Sequence, residues 1–311
     1  MSILVIGDIM LDRYIIGHVN RISPEAPVPI VNVSNEDNRL GGSNNVANNL
    51  ASLGADSYSF GVIGNDNNAE IVIDLMNKSG IKNLLIEDSK IPTITKIRIV
   101  AHNQQIVRLD YEKPITDRGR ILKEIKNLLN NHAFDLIIIS DYNKGVCFTE
   151  LCEYVANFAK IKKVKLIVDP KGNNWEKYNG SWLITPNLKE LQDILGRTLN
   201  NNDADIEDGA LQVIEKYKIE NVLITRSEKG MSIITKEKQI EHFHSVAKDV
   251  FDVSGAGDTV VAVIASCILD GKSLRESIRI ANLAAGYVVS QFGTYAISKK
   301  ELSNELTKNC I

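Results

Sequence analysis

Six short segments of this chain are dominated by apolar residues, and each runs into a small, polar or charged residue. They are Ile3–Ile6 before Gly7-Asp8, Ser59–Ile63 before Gly64, Leu136–Ile139 before Ser140-Asp141-Tyr142, Lys165–Val168 before Asp169-Pro170-Lys171, Trp182–Ile184 before Thr185-Pro186-Asn187, and Asn221–Thr225 before Arg226-Ser227. Stretches with helical spacing lie between several of them. Val46, Ala47, Leu50 and Leu53 share one face in Asn44–Leu53, which Gly54 stops. Asn68–Lys78 is a second, stopped by Gly80, and Arg118–Asn130 a third, with Ile121, Ile125 and Leu128 in register. A strand that is apolar along its whole length is buried on both faces, and helices between such strands supply the cover. The pattern predicts βαβ units, a mostly parallel sheet and a three-layer α/β/α domain. In sheets of this kind ligands gather at the carboxyl ends of the strands. Asp8, Asp141, Asp169, Lys171, Asn187, Thr225 and Arg226 fall there, and helix caps would account for only some of them.

Two stretches break the alternation. Residues 13–35 carry Pro24, Pro27 and Pro29 among β-branched residues, and residues 93–110 are rich in Ile, Val and Thr without helical spacing. Both read as extended strands of a small β lid, the alternative being two long loops. No repeat, low-complexity tract or linker divides the 311 residues, so a single domain over 1–311 is expected. A formal net charge of −3 gives no drive toward nucleic acid or an anionic membrane surface. The apolar run Val260–Leu269 is too short to span a bilayer and reads as a buried helix. Met1–Gly7 is too short for a signal peptide. Cys147, Cys152, Cys267 and Cys310 form no zinc-type or CxxC spacing, which suits reduced thiols in the cytoplasm. His242 and His244 could face one way on a strand, but an exposed strand without metal is the reading preferred here.

The strongest local signal is Asp252-Val253-Ser254-Gly255-Ala256-Gly257-Asp258-Thr259, followed at once by Val260-Val261-Ala262-Val263-Ile264-Ala265. Small residues let a ligand approach the backbone, and the unpaired N–H groups of a helix start attract an anion. A carboxylate in that first turn can take the proton of a hydroxyl that attacks a bound phosphate. Taken alone, the segment could equally be a tight turn with a dipole-favoured acid. It is neither a Walker A loop nor a GxGxxG fingerprint.

The Gly-Ala-Gly-Asp-Thr segment resembles the signature of the ribokinase-like (PfkB) sugar kinases. Gly41-Gly42-Ser43-Asn44-Asn45-Val46-Ala47 resembles that family's second glycine signature, and Asn187-Leu188-Lys189-Glu190 its Asn-x-x-Glu motif. Further segments look like the D-glycero-β-D-manno-heptose-7-phosphate kinases within the family. These are Gly7–Tyr14, Arg21–Pro29, Thr95–Arg98, Asn103–Gln105, Arg108–Asp110, Val168–Gly172 and Thr225–Met231.

The resemblance implies ATP-dependent phosphorylation of an anomeric hydroxyl, with Mg²⁺, within lipopolysaccharide inner-core assembly. Asp258 matches the catalytic base, with Gly255, Ala256 and Gly257 around the transferred phosphoryl group. Asp8, Asp12, Gly41, Gly42, Asn45 and Asp141 are expected near the sugar. Arg13, Lys96, Arg98, Arg108 and Lys171 are the candidate cations for its phosphate. Asn187, Leu188, Lys189 and Glu190 are expected at the nucleotide, with Glu190 holding Mg²⁺ through water; the same pair also reads as a helix capping box. Thr225, Ser227, Gly230, Asn282 and Gly286 are expected around adenine, helix packing being the alternative for the last two. Asp252, with Gly293 and Thr294, is a candidate for a monovalent cation such as K⁺. A homodimer through the lid strands is expected. Many relatives of this kind continue into a nucleotidyltransferase domain; no such activity is expected of these residues. Another sugar or hexose-phosphate kinase, or a non-catalytic sugar or nucleotide binder on the same fold, remains the alternative.

Overall fold

A computed structural model describes residues 1–102, 104–247 and 249–309; Asn103 and Cys310, both named above, lie outside the described residues. The main sheet has nine strands, in the spatial order Ile240–Phe243, Met231–Thr235, Asn221–Thr225, Leu183–Ile184, Lys165–Asp169, Leu136–Ser140, Ser2–Gly7, Asp56–Phe60 and Lys82–Asn83. The seven strands from Asn221–Thr225 to Lys82–Asn83 are parallel, and Met231–Thr235 and Ile240–Phe243 add an antiparallel edge. The central strands are apolar on both faces because a helical layer covers each. Ile3, Val5, Leu136 and Ile138 pack with the helices Ser43–Ser52 and Ala256–Leu269, while Leu4, Ile6, Ile137 and Ile139 pack with Arg118–Asn131 and Thr149–Lys162. Val260–Leu269 is part of a helix whose residues 260–265 are all buried. Among the described residues no helix is long and apolar enough to cross a membrane.

The second sheet is a four-stranded lid in the order Pro29–Gly42, Ile9–Ile22, Ile94–Ala101 and Gln104–Tyr111. Its strands start earlier than residue 13 and run on past residue 35. Ile9–Ile22 leaves the main sheet directly after Gly7, so one continuous run of chain couples the first central strand to the lid. The segment expected to be one strand, Ser59–Ile63, is broken. Asp56–Phe60 belongs to the main sheet, whereas Val62–Ile63 turns away to pair with Ile86–Glu87.

Candidate active site

Gly255 caps the helix Ala256–Leu269 in a left-handed conformation (φ 80°), and Asp258 falls in the first turn. Among the described residues the N–H groups of Gly257 and Asp258 have no backbone acceptor, as the geometry of a helix start requires. Asp258 is only 5% exposed, yet both of its oxygens are reached by donors. Asn45 Nδ2, from the helix Ser43–Ser52, donates to one at 2.7 Å, and the Tyr142 hydroxyl to the other at 2.8 Å. A Cβ on Gly255 would stand 2.6 Å from Asn45 Nδ2, so any side chain there would push the amide off the carboxylate. Burial raises the Asp258 carboxyl to about 6, against the pull of these two hydrogen bonds. A carboxylate in this state is ionised near neutral pH and still basic enough to accept a proton.

Strand alternation brings one face of the lid to this point. Asp12 is in register with Lys96, and Tyr14 with Arg98. Arg98 Nη1 pairs with Asp12 Oδ1 at 2.5 Å. Gly41 makes room for that pair: a Cβ there would lie 2.3 Å from Asp12 Oδ2. The Lys96 ammonium stands 5.7 Å above the Tyr142 ring, and its burial lowers its pKa. It has no carboxylate partner among the described residues.

Several expected ligands are committed elsewhere. Asp8 is fully buried and its carboxylate accepts the N–H groups of Tyr142, Lys144 and Val146, each at 3.0 Å. It shapes the 141–146 loop from beneath and presents no face to a ligand. Burial still raises its carboxyl above the ordinary carboxylate value. Asp141 is sealed against Lys177 Nζ and the Tyr178 hydroxyl, both at 2.6 Å. Arg13 falls on the other lid face by alternation, bonds Asn38 and lines a separate cleft with Asp66 and Asn67. Arg108 pairs with Asp110 on the exposed outer strand. Gly42 joins the lid to the helix Ser43–Ser52 at a positive φ of 59°.

On the other side of Asp258, the Asn187 side chain accepts from Glu190 N and Glu190 accepts from Asn187 N, which is a complete capping box. Glu190 also holds Lys171 at 2.7 Å. Leu188 packs into the core and Lys189 pairs with Asp193, so these two are spacers of the motif. Beyond them a cavity of about 530 Å³ is lined by Thr225, Ser227, Gly230, Gly257, Asn282 and Gly286, together with Val250, Val253 and Val289. Its mixture of valines and a few polar groups suits a flat heteroaromatic ring. The Asn282 amide is fixed by the carbonyl of His244. Asp252 accepts the N–H groups of Ser254 and Gly293, and the adjacent carbonyls of Phe292 and Thr294 are taken by Arg39. His242 is not an exposed strand residue: it bonds Ser232 and Glu207 beside the buried Arg226. Among the described residues no group of three His, Cys, Asp or Glu is placed to hold a metal.

Three residues of this centre carry no specific expected role in the sequence, although Asp169 is among the strand-end residues where ligands gather. Tyr142 is one. The others are Asp169, whose carboxyl burial raises well above the ordinary value, helped by the charges of Asp258 and Glu190, and Thr185, which donates to it. Each lies at the carboxyl end of an apolar strand or within two residues of it, which was the available signal. Arg39, stacked on Tyr14 and Phe292, was also unmarked.

Residues 1–301 match the model of the pfkB family carbohydrate kinases. The chain is 40% identical over 307 residues to the bifunctional protein HldE of Shewanella sp. (strain MR-4) and to that of Haemophilus influenzae (strain Rd), in each case over 98% of this chain. It spans 63% of the length of those relatives. Phosphofructokinase-2 from Escherichia coli, in complex with potassium, superposes with a TM-score of 0.82 at 18% identity, covering 99% of each chain. Arabidopsis thaliana ribokinase, complexed with ribose and ATP, superposes with a TM-score of 0.76 at 18% identity, covering 98% of each chain.

Proposed function

The chain belongs to the pfkB family of carbohydrate kinases, and we propose that it transfers the γ-phosphoryl group of ATP to the anomeric hydroxyl of D-glycero-β-D-manno-heptose 7-phosphate. The product is the 1,7-bisphosphate, a precursor for lipopolysaccharide inner-core assembly. The observation that carries the chemistry is the buried Asp258 carboxylate, held between Asn45 and Tyr142 at the foot of a helix N-terminus. The heptose rests on the segments that resemble heptose-7-phosphate kinases and on the 40% identity to the HldE proteins.

Phosphoryl transfer needs alignment and charge neutralisation more than covalent help. The sugar lies between the lid and Gly42–Asn45, its anomeric hydroxyl directed at Asp258, which takes the proton as the O–P bond forms. The free N–H groups of Gly257 and Asp258 face the charge that builds on the phosphoryl oxygens. Lys96 and Arg98 are the lid cations nearest the acceptor. Lys171 stands with Glu190 on the nucleotide side, and adenine occupies the cavity between Thr225–Gly230 and Asn282–Gly286. Mg²⁺ fits beside Asp169 and Glu190, two carboxylates whose mutual repulsion favours a cation, with water completing the shell. When bound, it neutralises phosphate charge. Asp252 does not fit a monovalent cation equally well, because its oxygens already hold two N–H groups and Arg39 occupies the carbonyls beside it. No step is assigned to K⁺.

The outer lid face supports a homodimer. Val107, Leu109 and Tyr111 are each more than 40% exposed there, in register with Ile99, Ile97 and Thr95. Light scattering of the full chain at micromolar concentration tests this, and a monomer overturns it.

The reaction is tested by ADP release with Mg-ATP on the heptose 7-phosphate, sedoheptulose 7-phosphate, fructose 6-phosphate and ribose. Turnover on the heptose alone is expected. Turnover on another sugar instead keeps the kinase and discards the substrate. ATP binding without turnover on any of them favours a non-catalytic binder.

A further inference from the structure

Tyr142 has a hydroxyl directed at the reacting carboxylate and a ring directed at a cation, and the family motifs do not mark it. It follows the strand Leu136–Ser140 in a loop fixed from below by Asp8, whose carboxylate holds the N–H of Tyr142 itself and those of Lys144 and Val146. The loop therefore cannot shift without stripping hydrogen bonds from a buried carboxylate, and the tyrosine is presented in one place. Its hydroxyl reaches Asp258 Oδ1 at 2.8 Å while Asn45 reaches Oδ2 at 2.7 Å. Two donors on opposite oxygens fix the plane of the carboxylate as well as its position.

We propose that Tyr142 is a positioning residue of the phosphoryl transfer, which holds the Asp258 carboxylate in its reactive orientation and keeps it ionised. This rests on the assignment of Asp258 as the base.

The direction follows from the bond. A hydrogen bond donated to a carboxylate stabilises the charged form and opposes the upward pull of burial. Tyr142 is suited to the task because burial and the charges of Asp258 and Asp169 raise its own pKa well above 10, so it remains a donor wherever the enzyme works. The other groups facing Asp258 are Asn45 from the helix Ser43–Ser52, Asp12 and Lys96 from the lid, and Asp169 from the strand Lys165–Asp169. Asp12 pushes the Asp258 carboxyl upward and Lys96 pulls it down, while the charge of Asp258 in turn raises Asp169. Tyr142 stands beneath Lys96, so its ring also supports this lid cation, which has no carboxylate partner among the described residues.

The experiment compares wild type with Tyr142→Phe, Asp258→Asn and the double variant, from about pH 5 to about pH 9. Phenylalanine keeps the ring beneath Lys96 and removes only the hydroxyl. For Tyr142→Phe, the acid limb of kcat is expected to move up by about one pH unit, with kcat lower by about tenfold near neutrality and sugar KM nearly unchanged. In the Asp258→Asn background the second substitution is expected to cost nothing further, because the group it acts on is gone. An unmoved acid limb, or effects that multiply fully in the double variant, overturns the proposal. Asp258→Asn retaining near-normal turnover overturns the assignment of the base instead, so the two failures are distinguishable. Should Tyr142→Phe fold poorly, Tyr142→Trp keeps an aromatic ring and a donor that cannot reach Oδ1, and the same shift is expected of it.

Discussion

Two groups of carboxylates, three of them buried and Asp169 half-buried, sit side by side at the carboxyl ends of the central strands, and they behave in opposite ways. Asp8 and Asp141 form one. Asp8 is enclosed by three N–H groups, and Asp141 by an ammonium and a phenol. Asp258 and Asp169 form the other. Asp258 has two neutral donors and no adjacent cation in contact; Asp169 has a threonine hydroxyl and the repulsion of two more carboxylates. Burial is costly for all four, because a desolvated charge must be compensated. In the first group the protein itself fills the carboxylates with donors, although burial still raises Asp8, and the product is a rigid loop. In the second it stops short, and a ligand has to complete it. Burial alone does not mark a functional acid; burial with incomplete compensation does.

The largest expected effect divides the groups by activity. Asp258→Asn should fold and bind ATP but lose about a thousandfold in kcat, measured as coupled ADP release. Asp141→Asn should do the reverse. It strands Lys177, whose side chain is 9% exposed, without its counter-charge, and should cost about 3 kcal/mol of stability in urea unfolding while the folded fraction keeps its turnover. If Asp141→Asn abolished turnover without loss of stability, the contrast would collapse.

A smaller effect sharpens the same contrast. The Asp258 carboxyl titrates at about 6 in the folded chain against an ordinary 3.8. The folded state therefore binds the proton more tightly, and stability falls as pH rises through the window from 3.8 to about 6. At neutral pH the ionised, buried Asp258 costs about 3 kcal/mol, a figure that follows from the two values at about 1.4 kcal/mol per unit. Asp258→Asn should recover part of it, melting higher than wild type at pH 7 and losing that advantage near pH 4. A melting temperature that is lower at every pH would show that Asp258 also supports the fold.

Much of this was readable along the chain. The apolar strands and their helical partners settled the sheet, because a side chain buried on both faces leaves an unbroken apolar run. Gly255–Thr259 and Gly41–Asn45 were legible because close backbone approach demands small residues at fixed spacing. Asn187 and Glu190 were legible as a capping box, which is a local hydrogen-bond pattern three residues long. The second lid segment was legible at nearly its observed ends, but the first runs over 9–42 and not 13–35, since a strand that twists out of one sheet into another carries no break in its sequence at Gly7.

What the sequence determined by itself was local: periodicity, caps, turns and the kinds of side chain at the strand ends. It could not decide which of those side chains meet. Asp8, Asp141 and Asp169 look alike in sequence, each a polar residue at the end of an apolar strand, yet Lys177 neutralises Asp141, the N–H groups of Tyr142, Lys144 and Val146 enclose Asp8, and the Tyr142 hydroxyl reaches Asp258, 116 residues on. Electrostatic compensation depends on distances of 3 to 4 Å between groups remote in the chain, and only the folded arrangement brings them that close.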